Sequence, residues 1–570
     1  MSTLEDIEDF PTDSCRQYSV KLTDDPRQNT SQTFFYGIGL NEADQKKPFV
    51  GISSCWIEGN PCNNHLDQLA AWAKKSIEQN GMNGLRFNAI SISDAISMGT
   101  EGMRYSLLSR EIIADSVETV TECLHYDANI SIPNCDKNMP GVIMAQVRIN
   151  RPSIVIYGGS MYVKEHKGKI YDVGQTSELY GQMIAGLITN EERIEINKIS
   201  SDCSGSCPGL YTANTMAVAI EAMGMSLPNS SSTPALHEEK EKECLKIGAV
   251  MKRLLVRNIK PLDIITRKSL ENAITAVCAI GGSTNAVLHI LAIAHTANIR
   301  LDIKDFQPIS DRVPYIGNLK PSGKYFMPDL HNVGGTSIFL KHLLDNGYLN
   351  GDCLTVTGTT LSENLANTPS LEDLKQDVIF SCKTPKKATS NLKLLHGNLA
   401  PEGSVAKISG KEGHFFKGPA IVFDSEKEML ESFKHQQIKK GMVVVIRFEG
   451  PKNGMPEMLY PTGALVGANL SQHCALVTDG RFSGASHGFI IGHVSPEGFN
   501  GGPIALVQNH DVITIDIDNL SLQVHISEEE MENRREHWIK PPLKCKHGSL
   551  RKFAKVVQSA SKGCVTDCPI

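Results

Sequence analysis

The sequence predicts a mixed α/β protein in which a larger α/β/α domain with a parallel sheet precedes a smaller, barrel-like C-terminal domain. Helical patterns alternate with short apolar runs over residues 34–385, and short strand-like segments separated by turns follow from residue 386. The length of 570 residues also exceeds what one hydrophobic core usually serves. We expect a polar extension over 1–33 that drapes over the surface, an α/β/α domain over 34–385 that binds the cofactors, and a barrel domain over 386–570.

Three segments of the first domain carry the α/β/α prediction. Ser109 precedes the amphipathic sequence R-E-I-I-A-D-S-V-E-T-V-T-E-C-L, which predicts a helix capped at that serine. Residues 152–159, P-S-I-V-I-Y-G-G, are β-branched and end in glycines, which is typical of a buried parallel strand. A long apolar helical stretch over 269–299 is interrupted by G-G-S at 281–283. Helices that alternate with buried strands indicate layers of helices on both faces of a sheet.

The second domain contains short β-branched segments bounded by turn residues. Such segments occur at 420–425 (A-I-V-F-D-S), 442–450 (M-V-V-V-I-R-F-E-G), 474–481 (C-A-L-V-T-D-G-R) and 511–518 (D-V-I-T-I-D-I-D). Many short strands at close spacing favour a barrel. The sequence L-R-K-F-A-K-V-V-Q-S-A over 550–560 predicts a final helix.

The composition excludes several classes of protein. Charged residues are 21% of the chain, the net charge is −6, and no basic stripe points to nucleic acid. No run approaches the roughly 18 apolar residues that a membrane span needs. Fifteen cysteines without a secretory signal indicate a reducing compartment. The acidic start, M-S-T-L-E-D-I-E-D-F-P-T-D, is unlike an Arg-rich transit peptide. We expect a cytoplasmic protein, or a mitochondrial one whose leader has been removed, and not a secreted one.

Three cysteines lie in loop-like sequences suited to metal chemistry. They are Cys62 in N-P-C-N-N-H-L, Cys135 in I-P-N-C-D-K-N-M-P-G and Cys207 in S-G-S-C-P-G-L. Thiolates are soft ligands for iron–sulfur clusters and zinc, and three of them leave one metal position open to a substrate. Separations of 73 and 72 residues provide no short metal-binding pattern, so buried structural thiols are the alternative.

Two further cysteine groups have a weaker case. Cys203 and Cys207 form a C-x-x-x-C pair that suggests zinc. Near the C-terminus the spacing of the remaining candidates fits no common zinc pattern, which favours chance; these are Cys545, His547, Cys564 and Cys568.

Carboxylates on Gly- and Pro-rich loops form a second set of candidate ligands. Asp94, Asp136 and Glu457 are plausible Mg²⁺ ligands because a hard ion prefers oxygen, although each alone could be a solvated turn residue. Lys137 could simply form an ion pair. Beside a divalent cation its pKa would fall, and a neutral amine can take up CO₂ to become a carbamate, which is itself an oxygen ligand.

A glycine-flanked serine, Ser483 in T-D-G-R-F-S-G-A-S-H-G, follows a predicted strand. It could be a nucleophile or a base on a sharp turn, but the sequence is not G-x-S-x-G. A serine acts as a base only where a metal or another cation lowers its pKa, and His487 nearby is the other candidate helper. The glycine-rich stretches at 281–285 and 334–337 lack the dinucleotide fingerprint, which argues against a nicotinamide or flavin site.

Taken together and in this order, the motifs resemble the family of dihydroxyacid and sugar-acid dehydratases. The sequences that carry the resemblance include P-C-N-N-H-L (61–66), S-D-A-I-S-M-G-T-E-G-M (93–103), C-D-K-N-M-P-G (135–141), Y-T-A-N-T-M-A (211–217), G-G-S-T-N-A-V-L-H (281–289), M-P-E-M-L (455–459) and T-D-G-R-F-S-G (478–484). The likeness runs from about residue 17 to the C-terminus. The continuation S-L-P-N-S-S-S-T-P-A (226–235) is most similar to the branched-chain branch.

The resemblance implies a hydro-lyase, a homodimer, that converts a small 2,3-dihydroxy carboxylate into a 2-keto acid. The branched-chain branch implies 2,3-dihydroxy-3-methylbutanoate and 2,3-dihydroxy-3-methylpentanoate, on the way to valine and isoleucine. It also implies a 2Fe–2S cluster with one open iron position, a Mg²⁺ ion and a serine base. The residues implied are Cys62, Cys135 and Cys207 for the cluster, Asp94, Asp136, carbamylated Lys137 and Glu457 for Mg²⁺, and Ser483 for the base.

Several positions depart from the family pattern. Asn134 and Pro208 stand where glycine is usual, Asp202 and Cys203 replace a Pro-Gly pair, and the 450–457 loop is two residues shorter. A side chain at 134 is expected to shift the backbone beside the cluster. These changes suggest a specialised duplicate that tolerates an active-site inhibitor. Two alternatives remain open, a sugar-acid dehydratase and a non-catalytic cluster-binding relative.

Overall fold

The computed structural model describes residues 12–567 except 167, 185, 202, 410, 411 and 487, and it confirms the mixed α/β fold class. Three residues named above, Asp202, His487 and Cys568, lie outside the described residues.

A four-stranded parallel sheet forms the centre of the first region. Its strands are β1 (Phe49–Ser54), β2 (Asn83–Asn88), β3 (Ala128–Ile132) and β4 (Ser153–Val155), in the order β2-β1-β3-β4. All residues of β1, β3 and β4 are buried, as expected for parallel strands covered on both faces. The prediction of a buried parallel strand within 152–159 is confirmed, because β4 pairs in parallel with β3. A short hairpin follows, with β5 (Glu165–His166) and β6 (Lys169–Ile170).

Helices surround this sheet. They are α1 (Thr12–Cys15), α2 (Val20–Thr23), α3 (Asn29–Gly37), α4 (Leu66–Gln79), α5 (Asp94–Ser97), α6 (Tyr105–Cys123), α7 (Asn138–Ile149), α8 (Val173–Ile184), α9 (Asn190–Ile199), α10 (Thr212–Met223), α11 (Glu238–Arg257), α12 (Pro261–Ile264), α13 (Arg267–Ile280), α14 (Asn285–Thr296), α15 (Phe306–Arg312), α16 (Met327–Asn332), α17 (Gly335–Asp345) and α18 (Leu361–Leu365). The predicted interruption at 281–283 separates α13 from α14, where Gly281 adopts a left-handed φ of 87°. Among the described residues, no helix combines the length and apolar character that crossing a membrane requires.

Two local predictions are wrong. Ser109 does not cap α6, which begins at Tyr105, because a 3₁₀ turn capped by Thr100 leads directly into it. Part of the N-terminal stretch is buried instead of draped over the surface: the backbone N–H groups of Tyr18 and Ser19 donate to Asp127 Oδ1 at 2.9 and 3.0 Å. A buried carboxylate that accepts several N–H groups fixes the segment to the sheet region.

Eight strands of the second region close into a barrel, as predicted. The strands of this region are β7 (Leu392–Gly397), β8 (Ala400–Lys407), β9 (Phe415–Phe423), β10 (Val443–Ile446), β11 (Glu457–Met458), β12 (Ala475–Thr478), β13 (Arg481–Phe482), β14 (Phe489–Ser495), β15 (Val512–Asp516) and β16 (Ser521–Val524). The barrel order is β10-β12-β14-β8-β7-β16-β15-β9, and β11 pairs with β13 in a separate parallel ladder. The helices are α19 (Glu426–Lys434), α20 (Tyr460–Gly467), α21 (Glu528–His537) and α22 (Gly548–Val556).

The barrel strands have two apolar faces. Val443, Val445 and Ile491 belong to one buried cluster, whereas Val444 and Leu476 belong to a second one that also contains residues of α19 and α20. This alternation is what a strand produces when its side chains point to opposite faces. The predicted strands at 442–450, 474–481 and 511–518 are confirmed within shorter bounds, and the one at 420–425 is the end of a longer strand that begins at Phe415.

Candidate functional site

Most of the predicted site residues line one cavity of about 870 Å³. Loops of the sheet region and residues of α8 and α9 line part of it, and residues of β11, α19, α20 and the loop after β13 line the rest. Seven of the eight predicted residues line it: Cys62, Asp94, Cys135, Asp136, Cys207, Glu457 and Ser483. The eighth, Lys137, contacts the carboxylates from behind.

The three predicted cysteines meet at one end of this cavity. Cys62 precedes α4, Cys135 lies between β3 and α7, and Cys207 precedes α10. The neighbouring thiols of Cys135 and Cys207, together with burial, raise the pKa of Cys62 well above its usual value. Thiols that lie together in this way form a ligand set once a soft metal displaces their protons.

Asn134, where glycine was expected, fits without backbone strain. The backbone φ of Asn134 is not positive. Its side chain packs against Gly158, where an added Cβ would lie 2.7 Å from Asn134 Cγ and 2.8 Å from Asn134 Cβ. The Asn134 Nδ2 donates to the carbonyl oxygens of Cys62 and Gly159 at 2.6 and 3.0 Å. The amide therefore ties together two loops that border the thiols.

The three predicted carboxylates form a second group beside the thiols. Oxygens of Asp94, Asp136 and Glu457 all lie within 4.8 Å of one another. The Lys137 Nζ is 2.8 Å from Asp94 Oδ2, 3.8 Å from Glu457 Oε2 and 4.0 Å from Asp136 Oδ2. The buried ammonium group stands where a cation would neutralise the carboxylates.

Burial and the neighbouring charges shift the pKa values of these acids in opposite directions. Burial raises the pKa of Asp136 to about 7; Lys137 opposes this shift, and the charges of Asp94 and Glu457 add to it. Burial alone would also raise the pKa of Asp94, but the charges of Lys137 and Arg481 outweigh it and place the value below normal. Asp136 therefore takes up a proton more readily than an ordinary aspartate does, and a divalent cation bound there would displace that proton.

Residues that the sequence analysis left without a role hold the carboxylates in place. Arg481 Nη1 donates to Glu457 Oε2 at 2.8 Å, and Asn285 Nδ2 donates to the same oxygen at 2.6 Å. Ser106 Oγ donates to Asp94 Oδ2 at 2.8 Å. Arg481 and Asn285 belong to motifs that carried the family resemblance, which was the one signal available. Such outer partners fix the orientation of metal ligands.

A buried arginine, Arg110, contacts both the C-terminal segment and α14, the helix that carries Asn285. Arg110 Nη2 donates to the carbonyl oxygens of Gly563 and Cys564 at 2.8 and 2.9 Å, and Nη1 donates to His289 Nδ1 at 3.3 Å. Since arginine only donates, His289 is a neutral imidazole with its proton on Nε2. His289 lies on α14, one turn beyond Asn285, so the C-terminal segment packs behind a residue that touches the carboxylates.

Ser483 lies directly after β13 at the edge of the carboxylate group. The pairing of Glu457 with Arg481 and of Met458 with Phe482 aligns β11 with β13, and the Ser483 N–H donates to Met458 O at 3.0 Å. This ladder brings the serine into the cavity that Glu457 lines. The prediction that Ser483 follows a strand on a tight turn is confirmed.

The weaker cysteine candidates that lie within the described residues do not assemble into a site. Cys203 Sγ contacts the Tyr162 carbonyl at 3.7 Å, and Cys545 packs with Cys564 in an apolar cluster. Burial raises the pKa of Cys564 to about 12. In the part of the chain that the structure describes, no group able to hold a metal includes these three residues.

Part of the cavity wall beyond the thiols and carboxylates is apolar. Val173 and Leu179 of α8 line it opposite Leu459, Ala464 and Ala485. An apolar wall next to a polar end suits a ligand with a charged head and a short alkyl body.

Comparisons with known proteins agree with this geometry. Residues 47–364 match the family model described as dihydroxy-acid/6-phosphogluconate dehydratase N-terminal, and residues 377–564 match the corresponding C-terminal one. A dihydroxy-acid dehydratase of Francisella tularensis subsp. novicida is 54% identical over 97% of this chain and 99% of its own length. A chloroplastic one of Arabidopsis thaliana is 52% identical over 98% and 92%, and a mitochondrial one of Aspergillus terreus is 51% identical over 98% and 94%.

Proposed function

Because the chain belongs to the dihydroxy-acid/6-phosphogluconate dehydratase family, whose members are hydro-lyases, we propose that it dehydrates 2,3-dihydroxy carboxylates to 2-keto acids. The substrates are 2,3-dihydroxy-3-methylbutanoate and 2,3-dihydroxy-3-methylpentanoate, of the branched-chain amino-acid route. The observation that carries the proposal is the meeting of three thiols and three carboxylates in one cavity. The family membership that the motifs predicted is thereby confirmed, and relatives named dihydroxy-acid dehydratase match nearly the whole chain.

The thiol end fits a 2Fe–2S cluster held by Cys62, Cys135 and Cys207. The donor set is soft, its members are in mutual contact through Cys62, and Cys62 and Cys135 are each only 6% exposed. Low exposure protects cluster sulfur from solvent, and three protein ligands leave one coordination position for the substrate.

The carboxylate end fits Mg²⁺ held by Asp94, Asp136 and Glu457, provided that Lys137 loses its charge. Hard oxygen donors converge there, and the ammonium group now supplies the positive charge that they require. Carbamylation would turn Lys137 from a competing cation into a fourth oxygen ligand. This is why the buried lysine belongs to the proposed ligand set.

Once bound, the cluster and Mg²⁺ supply Lewis acidity at the departing C3 hydroxyl and at the carboxylate and C2 hydroxyl. Ser483 Oγ takes the proton from C2 as the C3–O bond breaks, so that the C2–H electron pair forms the C2–C3 double bond. The proton that Ser483 Oγ has taken passes to the departing hydroxide, which leaves as water and restores the base, and the enol tautomerises to the 2-keto acid. A positioned base contributes about 10²–10⁴-fold in rate. The apolar wall at Val173 and Leu179 holds the alkyl groups and excludes water.

A matched pair of serine variants tests the proposal. The protein is reconstituted anaerobically with iron and sulfide and assayed for keto acid with Mg²⁺. Ser483→Ala should lower kcat by about 10²–10⁴-fold while the cluster absorbance stays unchanged. Ser486→Ala, three residues further along the same loop and hydrogen-bonded to Thr462, should retain activity. Equal activity of Ser483→Ala and wild type would overturn the role of the serine, and turnover of gluconate but not of the branched substrate would favour a sugar-acid dehydratase.

The alternatives are less well supported. Relatives that match nearly the whole chain are named dihydroxy-acid dehydratases, which favours the branched substrates over a sugar acid. A non-catalytic relative would not need the carboxylates, Lys137 and Ser483 to converge. The hypothesis of an inhibitor-tolerant duplicate stays a prediction, and inhibition measured beside a standard relative would test it.

Assembly and location are further parts of the proposal. We propose a homodimer, as the resemblance implies, which light scattering of the purified protein would test. Relatives occur in bacteria, and others are named chloroplastic and mitochondrial. We propose a mitochondrial location if a leader has been removed and a cytoplasmic one otherwise, which fractionation of cells that express the gene would test.

A further inference from the structure

A second group of potential metal ligands lies away from the catalytic cavity. It consists of His237, in the loop that leads into α11, Glu239 in the first turn of α11, and His331 in α16; we call it the His237 cluster. One donor atom of each residue lies within 4.8 Å of the other two. The described residues that line the catalytic cavity do not include any of the three.

The spacing of the donor atoms suits one small ion. His331 Nε2 is 3.7 Å from Glu239 Oε2, which is longer than a direct hydrogen bond. Two ligands that each stand about 2.1 Å from one tetrahedral ion lie roughly 3.4 Å apart. The two imidazole rings meet edge to face with centroids 4.6 Å apart. A shift of less than about an ångström per side chain would therefore complete three of the four positions of a tetrahedral site.

The ring nitrogens are available for ligation. The His331 side chain is only 12% exposed, and its Nε2 faces the Glu239 carboxylate. His237 Nδ1 accepts the Glu239 N–H at 3.3 Å, a long contact. An ion bound at Nδ1 would displace this weak hydrogen bond, whereas an ion bound at Nε2 would leave it in place.

The local charge also favours a cation. Residues 238–243 read E-E-K-E-K-E, so four carboxylates accompany two ammonium groups. Lys240, the closer cation, pairs with Glu243 at 2.7 Å, and Lys242 pairs with Glu238 at 2.6 Å. Glu239 thereby remains for an ion to neutralise.

The His237 cluster joins two segments that continue into the walls of the catalytic cavity. At the start of α16, the Met327 N–H donates to the carbonyl of Pro208, the residue after Cys207, at 2.9 Å. Two residues before His237, the Ala235 N–H donates to Ser160 O at 2.9 Å, next to the glycines that border Asn134. An ion in the cluster would brace both segments from the outside.

We propose that His237, Glu239 and His331 bind one Zn²⁺ ion through two imidazole nitrogens and one carboxylate oxygen, with water in the fourth position. Neutral imidazole with one carboxylate is a ligand set that zinc accepts readily. The ion clamps α16 to the start of α11. It has a structural role, because it does not touch the substrate cavity.

Calorimetric titration of the cluster-loaded enzyme with Zn²⁺ in excess Mg²⁺ tests this site, since the thiols and the acidic group are then occupied. Wild type should bind one Zn²⁺, and His331→Ala and Glu239→Gln should each weaken binding by at least about tenfold, as even the loss of an outer partner of a ligand does. His414→Ala is the matched control, because His414 is an exposed histidine paired with a single carboxylate, Asp518, at 2.7 Å. It should bind as wild type does.

Zinc-edge X-ray absorption and thermal unfolding complete the test. The spectrum should show nitrogen and oxygen neighbours, and Zn²⁺ should raise the Tm of wild type and of His414→Ala but not of His331→Ala. Sulfur neighbours, equal affinity in all four proteins, or no binding by wild type would overturn the proposal. Glu239→Gln keeps the size of an exposed side chain, so its effect does not depend on misfolding.

Discussion

The thiol end and the carboxylate end of the cavity are built differently. All three thiols come from loops of the sheet region, at Cys62, Cys135 and Cys207. The carboxylates come from both regions, because Glu457 and its partner Arg481 lie on the β11–β13 ladder. The proposed soft-metal site therefore depends on the sheet region alone, whereas the proposed hard-metal site and the placement of Ser483 beside it require the two regions to be packed together. The comparison predicts that the two ends can be disrupted separately.

Replacement of a thiol should have the largest effect. Cys207→Ser removes one of three proposed cluster ligands, and we expect loss of the cluster absorbance and of all detectable activity. Cys203→Ser is the matched control, since this partly exposed thiol lies four residues earlier in the same loop. Loss of the cluster in Cys203→Ser and its retention in Cys207→Ser would contradict the assignment of Cys207 as a cluster ligand.

A change at the carboxylate end should leave the cluster intact. Glu457→Gln removes a charge and places an amide opposite two donors, Arg481 and Asn285. We expect the Mg²⁺ concentration for half-maximal activity to rise by about 10–100-fold, with an unchanged iron content and visible spectrum. A parallel loss of iron would mean that the two ends form one cooperative unit.

The C-terminal segment should influence the carboxylate end through α14. Gly563 has a φ of +81°, and a Cβ there would lie 2.7 Å from the backbone nitrogen of Ala292. Gly548 has nearly the same φ, +80°, and a Cβ added to it would meet no atom within 4 Å. Gly563→Ala should therefore lower the free energy of unfolding by about 1–3 kcal/mol more than Gly548→Ala, as overpacking does. Urea denaturation measures both, and equal losses would exclude the close contact as the cause.

The smallest expected effect is a pH dependence within the barrel region. Burial and the charge of Asp479 raise the pKa of Glu497 from its ordinary value of 4.5 to about 8. The folded state then holds a proton that the unfolded state releases, so this group favours folding at low pH and its contribution is lost as the pH rises from 4.5 towards 8. In Glu497→Gln the free energy of unfolding should therefore fall less as the pH rises, by at least about 1 kcal/mol, which is the value of one pKa unit. Urea denaturation at pH 5 and pH 9 would measure the change in the free energy of unfolding between the two pH values. An equal change in wild type and in Glu497→Gln would refute the prediction.

Local sequence sufficed wherever one short motif provided the chemistry. Cys135, Asp136 and Lys137 are consecutive, so a thiol, a carboxylate and an amine had to lie close together in any fold. The barrel strands were predictable because their β-branched runs lie between turns. The roles of individual ligands and the domain boundary near residue 385 stay predictions.

What sequence could not provide depends on contacts between distant residues. Arg481 and Ser106 are 375 positions apart, and Arg110 and Gly563 are 453 apart. Nothing in either neighbourhood indicates its partner. Ser109 was assigned as a cap because its local pattern is typical of one, and the preceding 3₁₀ turn, which extended the helix, has no strong signal of its own.

Anomalous diffraction at the iron edge from anaerobically grown crystals of the reconstituted protein with Mg²⁺ tests the central claim most directly. The account predicts two iron peaks bound by Cys62, Cys135 and Cys207, and a Mg²⁺ ion among Asp94, Asp136 and Glu457 in the same cavity. Iron bound elsewhere in an active protein, or a cavity in which the acids hold no ion during turnover, would contradict it.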